Sequence, residues 1–377
     1  MTQTTILTNA VLVLPAETLL GTIVLCDGAI AEVQPGRSRA AGAVDLDGDT
    51  LMPGVVDVHT DNLERQVQPR SMARWPSRSA MVAHDAQCAA AGVTTVLDAL
   101  CLGDLGFDKD RIQTFRDGVT DLDALNGTGL LKADHFLHLR CEVPAVDVLT
   151  LLEPVADHKL VRMISLMDHS PGVGQYADLD HYRKLRRKDG HDDAAIDRRI
   201  REMQAHREKW RTPNRTALLD RVRGLPIVLA SHDDRTAEEI AENLADGIRI
   251  SEFPVTMEAA QAAKQAGMRV IAGAPNIVRG GSHSGNVAAR DLLAAGAVDA
   301  FASDYVPTSL VEAAFRCADD IPLPAAVAMV SDHPAQMAGL PDRGRLQAGM
   351  RADLARIRVH EGLPVVRQVW RAGERVI

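Results

Sequence analysis

The sequence predicts an α/β fold: a (β/α)8 TIM-like barrel with a small β-sandwich domain built from both chain ends. Three observations carry this. The middle of the chain alternates short, near-continuous apolar runs with helical stretches, the pattern of strands buried on both faces. The two ends are β-rich and share one texture of apolar runs broken by turn dipeptides. At 377 residues the chain is too long for one small core, and a large barrel plus a minor domain divides it naturally.

Residues 1–51 hold the first part of the β-sandwich. Ile6 to Leu14 and Gly21 to Cys26 read as strands, with Asp27-Gly28 and Asp47-Gly48 as turns. Residues 52–343 form the barrel, with strands expected at 53–59, 92–99, 135–143, 161–168, 226–232, 248–253, 269–274 and 299–304. Residues 344–377 return to β texture, with strands at 352–359 and 364–371. One segment breaks the rhythm. Residues 175–212 are an insertion, and within 181–210 lie ten Lys or Arg and six Asp or Glu. It reads equally well as a solvated helical hairpin and as a lid or dimer arm beside the site, since long inserts in such loops often carry function.

Composition closes off several classes. A net charge of −9 offers no footprint for a nucleic-acid backbone, and 3% aromatic residues leave few rings for stacking bases. Five cysteines without a Cys-x-x-Cys motif argue against disulfides and thiolate zinc, and for reduced thiols in the cytoplasm. No signal peptide and no run of membrane-spanning length is expected. A homodimer is the expected assembly.

The chemistry lies at the strand ends. His59 and Asp61 close the first strand; Glu142, His169, His232 and Asp304 end four others. Two residues separated by one spacer face the same side of a strand, and the C-terminal mouth of a barrel is where catalytic groups sit. A single histidine at a strand end is more often a cap than a ligand, but six such residues on one barrel form a pattern. Three imidazoles and several carboxylates suit one or two divalent ions, zinc first, manganese or iron as alternatives. Glu142 is placed to bridge two ions about 3.5–4 Å apart. The other histidines, His84, His135, His138 and His333 among them, read as structural, and His181, His191 and His206 as solvated.

The stretch 276–286 adds a second signal. Asn276, Arg279, Ser282, His283, Ser284 and Asn286 surround three glycines. Glycines let backbone N–H groups approach phosphate oxygens, and Arg279 binds them bidentately. The alternative is a plain flexible loop, because glycine-rich loops alone are weak evidence. Asn62, Arg140 and Asp233, near the predicted mouth, are further candidates for binding substrate, and each reads equally well as a support behind the ligands.

These residues resemble the amidohydrolase superfamily, through the run from Met52 to His59, Gly92-Val93-Thr94-Thr95-Val96, and the tail from Gly344 to Leu354. The resemblance implies a metal-bearing barrel with a β-sandwich from both ends. The chain departs from it in two ways. Asp61 replaces the second His of His-x-His, and Glu142 and His169 fall on strands three and four, where the superfamily places its lone histidines on strands five and six. A narrower resemblance rests on His59 to Glu64, Trp75-Pro76, Ser165 to Gly172, Ala230 to Asp234, Glu252 to Thr256 and Gly273 to Asn286. These are similar to the diphosphatases of phosphonate catabolism, which release diphosphate from α-D-ribose 1-methylphosphonate 5-triphosphate. That implies a small anionic sugar-triphosphate as partner, and Asp304 as general base and ligand. The rival enzyme reading is C–N hydrolysis of a cyclic amide or deamination. A rival from another class is a metal-binding regulatory protein with a dead site, against which the full ligand set argues.

Overall fold

The computed structural model describes residues 4–70, 72–105, 109–188, 190–282 and 285–377. All eight expected barrel strands form, in chain order and in parallel: β1 Val55–Thr60, β2 Val93–Leu102, β3 Asp134–Glu142, β4 Val161–Met167, β5 Val228–His232, β6 Ile250–Glu252, β7 Arg269–Gly273 and β8 Ala300–Ala302. Each pairs with the next. The first and last meet through a parallel bridge between Thr60 and Asp304. There the backbone N–H of Asp304 donates to the His59 carbonyl at 3.0 Å, and that of Asp61 to the Asp304 carbonyl at 2.6 Å. The seam of the barrel thus joins the very residues that the sequence marks as functional.

Strands buried on both faces explain the apolar runs: every residue of β1 and β2 is buried. Inside the barrel Val56, Val58, Leu97, Met163, Ala230, Ile271 and Ala300 pack together. Outside, a larger cluster of Leu, Val and Ala seats the helices. Gly54 fixes the entry to β1, because a Cβ there would stand 2.3 Å from Thr94 Oγ1 on the neighbouring strand.

Strands from both chain ends share one mixed eight-stranded sheet. Thr4–Val13 pairs with Thr18–Cys26 and with Thr50–Pro53, and the latter pairs with Leu354–His360 from the C-terminus. Leu7, Leu12, Ile23, Leu25, Leu51, Leu354 and Trp370 form its own core. Buried Arg356 ties the two ends together, donating to Asp49 Oδ2 at 2.5 Å and to the Leu46 carbonyl at 3.0 Å.

The insertion folds as two helices, Leu179–Lys188 and Asp193–Val222. Tyr182, Ile196 and Ile200 bury themselves between them, which is why so charged a segment holds together. The long helix is pinned beside the barrel mouth. Arg207 Nε donates to Asp168 Oδ2 at 2.6 Å, immediately before His169. Among the described residues no helix is long and apolar enough to cross a membrane, and all five cysteines are free thiols.

Candidate metal centre

The floor of a cavity of about 660 Å³ at the C-terminal rim is built from β1, β4, β5 and β8. His59, Asp61 and Asp304 each bring a ligand atom within 4.8 Å of the others, and so do His169, His232 and Asp233. Two adjacent groups therefore stand at the rim, in keeping with a site for one or two ions. They face each other: His59 and His232 stack with ring centroids 5.8 Å apart, and His169 meets His232 edge-on at 5.5 Å.

Each imidazole is held from behind. His59 Nδ1 donates to Glu252 Oε1, and His232 Nδ1 to Glu252 Oε2, both at 2.8 Å. His169 Nδ1 is hydrogen-bonded to Glu142 Oε1, and the His169 backbone N–H donates to Glu142 Oε2 at 3.3 Å. A carboxylate on Nδ1 fixes the tautomer and leaves Nε2 free to ligate. The three Nε2 atoms point at carboxylates: His59 at Asp61, 3.6 Å; His169 at Asp233, 3.7 Å; His232 at Asp233, 3.9 Å.

Glu142 lines the cavity and its Oε1 is hydrogen-bonded to His169 Nδ1, while Asp233 lies on the Nε2 side of the same ring. Both departures from the family pattern survive in the fold. Glu142 does end β3 and His169 does follow β4, while β6 ends on Glu252, which is fully buried. Glu252 is not among the expected ligands or supports, and Asp233 is expected only as a residue near the mouth that helps bind substrate or stands behind a ligand. The signal for Glu252 was present, since it ends a predicted strand by the same rule that found the others.

The electrostatics fit a cation. Burial opposes charge on His59, but Glu252 and Asp61 overcome it and push its pKa up to about 10. Burial and the neighbouring Asp61 raise Asp304 to about 6. Asp233 Oδ2 is buried without a hydrogen-bond partner. A rim that holds protons this firmly, with an orphaned carboxylate oxygen and three imidazoles turned inward, suits divalent ions. Asp61 is shared with cations. Arg140 Nη1 donates to its Oδ1 at 2.6 Å, and Arg111 Nη2 lies 3.9 Å from Oδ2. Asp61 is accordingly held well below the usual carboxylate range, against the effect of burial.

Backbone strain gathers here. Asp233, Phe253 and Asp304 follow β5, β6 and β8 in the left-handed region, with φ of 56°, 54° and 56°. A residue other than glycine takes that conformation only when its surroundings enforce it.

Around the floor, Arg279, Ser282 and Asn286 line the cavity, with Arg140 beneath. The Asn286 N–H donates to Ser282 Oγ at 3.2 Å. His283 and Ser284 lie outside the described residues. Asn62 does not reach the cavity, contrary to expectation. It opens a helix that turns outward, is 2% exposed, and spends its amide on His84 Nδ1 at 2.9 Å and Gln87 Oε1 at 3.0 Å. His191, expected in solvent, lines the cavity with Arg186, Tyr176 and Arg111.

Asn62 leads into a second buried group, His84, Asp98 and His135. His84 Nε2 donates to Asp98 Oδ1 at 2.7 Å, and His135 Nδ1 to Oδ2 at 2.8 Å, so the set is satisfied by its own hydrogen bonds. Burial opposes the His135 imidazolium, but Asp98 and Asp85 push its pKa up to about 10. Asp98 is held well below the usual carboxylate range by His135 and His84, against burial. A raised histidine adds stability that is whole below its unfolded value of ~6.5 and fades as pH climbs toward the folded one. A lowered aspartate adds stability that is whole above ~3.9 and fades in acid. The pair therefore contributes fully between about pH 4 and 6.5. His135→Gln should lower the urea midpoint at pH 6 and flatten its decline between pH 7 and 9; equal slopes for variant and parent would refute the linkage.

A barrel with these groups on its C-terminal rim defines a class, the barrel hydrolases that work with divalent ions. The chain belongs to the amidohydrolase family, whose members generally use divalent metals: the family model matches residues 189–377. The chain is 42% identical to alpha-D-ribose 1-methylphosphonate 5-triphosphate diphosphatase of Escherichia coli (strain K12), covering 98% of this chain and 100% of that protein. Solved structures with the same fold include N-acetylglucosamine-6-phosphate deacetylase from Pasteurella multocida, with TM-score 0.64, 14% identity and 99% of each chain covered. Dihydropyrimidinase from Brevibacillus agri NCHU1002 matches at TM-score 0.62 and 14% identity, covering 100% of this chain and 95% of that one.

Proposed function

We propose that this chain is a divalent-metal-dependent diphosphatase that hydrolyses α-D-ribose 1-methylphosphonate 5-triphosphate to the 5-phosphate and diphosphate, in the cytoplasm, as a step of phosphonate catabolism. The observation that carries this is identity of 42% along 98% of the chain to a protein of that name. The rim chemistry supports it. In this reading His59, Asp61 and Asp304 hold one ion and His169, His232 and Asp233 a second, with zinc the first choice and manganese or iron the alternatives. The chain divides, in this reading, at 51/52 and 343/344 into the sheet of both ends and the catalytic barrel, the first boundary falling within the sheet strand Thr50–Pro53 that leads into the barrel.

A divalent ion held there supplies hydroxide at neutral pH and positive charge toward phosphoryl oxygens. The residues do the following. Asp304 accepts the proton of the attacking water on its carboxylate. Glu252 and Glu142 keep the imidazoles oriented. Arg140 and Arg111 share the charge of Asp61. Arg279, Ser282 and Asn286 bind an anionic end of the substrate.

The test is diphosphate release, read colorimetrically after coupling to pyrophosphatase and run beside an ammonia assay. Chelated protein should be inactive and should regain diphosphate release on adding zinc or manganese. Ammonia release without diphosphate would reject the reading in favour of C–N hydrolysis, and diphosphate release indifferent to metal would reject the metal dependence.

A further inference from the structure

We infer that the charged insertion is the subsite for the outer two phosphates of the triphosphate, the pair that leaves as diphosphate, while the Arg279 wall takes the ribose and its phosphonate. The inference rests on the proposed substrate. Its ground is the unequal chemistry of the two sides of the cavity.

On the β2–β4 side, Arg111, Gln175, Tyr176, Arg186 and His191 line the cavity, with Asp104 and Leu105 beside them. Gln175, Tyr176, Arg186 and His191 come from the insertion. Arg186 is held in place by the aromatic pair beneath it: its guanidinium carbon lies 5.1 Å from the centre of the Tyr182 ring and 6.0 Å from that of Tyr176. Tyr182 is itself 1% exposed, and Tyr176 packs on it edge-on at 5.4 Å. Arg111 is fixed through Nε to both carboxylate oxygens of Glu64 at 3.0 Å, close to Asp61. A planar cation that is pre-oriented loses little freedom when it grips a phosphate.

The opposite wall, after β6 and β7, pairs its polar groups with apolar ones. Arg279 and Ser282 stand among Pro254, Pro275, Val287 and Leu292. Sugar carbons and a methyl group need such surface, whereas a terminal diphosphate, which has no apolar atoms, does not. The metal-binding floor lies between the two walls. The bond cleaved joins the inner phosphate to the outer pair. With that bond over the floor, one wall receives the diphosphate and the other the ribose end. This also decides the role of the insertion: it is a wall of the site, anchored at Asp168 beside His169.

The two products serve as separate probes, since binding calorimetry on the metal-loaded protein does not require turnover. Arg186→Met combined with His191→Gln should weaken binding of inorganic diphosphate about tenfold or more. The same variant should leave binding of the other product, the ribose 1-methylphosphonate 5-phosphate, within about twofold of the parent. Arg279→Gln should do the reverse, and metal content should be unchanged in both. Arg186→Lys, which keeps the charge but not the planar fork, should fall between the parent and the double variant in diphosphate binding, and its unchanged binding of the other product should exclude mere loss of folding. Equal weakening of both products by the insertion variant, or diphosphate binding left intact, would overturn the assignment. Absence of diphosphate release by the parent enzyme, with the crossed binding pattern present, would reject the substrate reading and not this subsite.

Discussion

Asp304→Asn should lower kcat by about 10² to 10⁴ while leaving divalent-metal content near that of the parent. The substitution is nearly isosteric and keeps the backbone bonds that close the barrel, from Asp304 N–H to the His59 carbonyl and from Asp61 N–H to the Asp304 carbonyl. It also suits the left-handed conformation at this position, φ 56°, which asparagine tolerates better than most residues. What disappears is the capacity to accept a proton. Burial, and then the charge of Asp61, raise the Asp304 carboxyl to about 6. Alanine would confound the test, because a methyl side chain is strained in that backbone and removes packing as well. Stopped activity with retained metal identifies Asp304 as the base. Retained activity would refute the role, and joint loss of metal and activity would reduce Asp304 to a ligand.

Some of this was legible in the sequence, for physical reasons. The barrel strands were readable because burial on both faces imposes unbroken apolar runs, and β1 and β2 are buried throughout. The strand-end rule picked out His59, Asp61, Glu142, His169, His232 and Asp304, and all six line one cavity because a parallel barrel presents all its strand ends on one rim. The rule failed where the backbone leaves the strand. Asp233 follows His232 directly, and strict alternation would send it to the other side. Its left-handed φ of 56° turns it back toward the same centre. Asn62 failed in the opposite sense: the helix Asn62–Val67 begins there and carries the amide outward to His84. The insertion was the least legible element. Its composition is that of a solvated hairpin, and its placement over the mouth depends on distant pairs such as Arg207 with Asp168 and Asn214 with the carbonyls of Val143 and Ala145. No local pattern encodes those pairings.

Glu252→Gln should weaken divalent-metal binding about 100-fold, near the top of the range for residues behind a metal ligand, because one carboxylate serves two histidines. Glu252 is fully buried, and its two oxygens accept from His59 Nδ1 and His232 Nδ1. Burial alone would raise its pKa, yet His59, His138 and these hydrogen bonds hold it well below the usual range, so it stands as a charged acceptor for both rings. Glutamine keeps the shape but has one acceptor oxygen and one NH₂ group. The oxygen can serve one imidazole only. The NH₂ then faces the Nδ1–H of the other, and that ring must move its proton to Nε2, the atom meant for the ion. Loss therefore falls on one of the two histidines, His59 of the first group or His232 of the second, and either way one group loses an oriented ligand. Competition with a chelator of known affinity measures the effect directly, and activity at saturating metal should recover in part. Glu252→Asp, which retains two acceptors at a shorter reach, should lie between parent and Gln variant. Unchanged affinity in the Gln variant would mean that the imidazoles are held by their packing alone, with Phe253 and His138 against His59, and that the shared carboxylate contributes nothing to the centre.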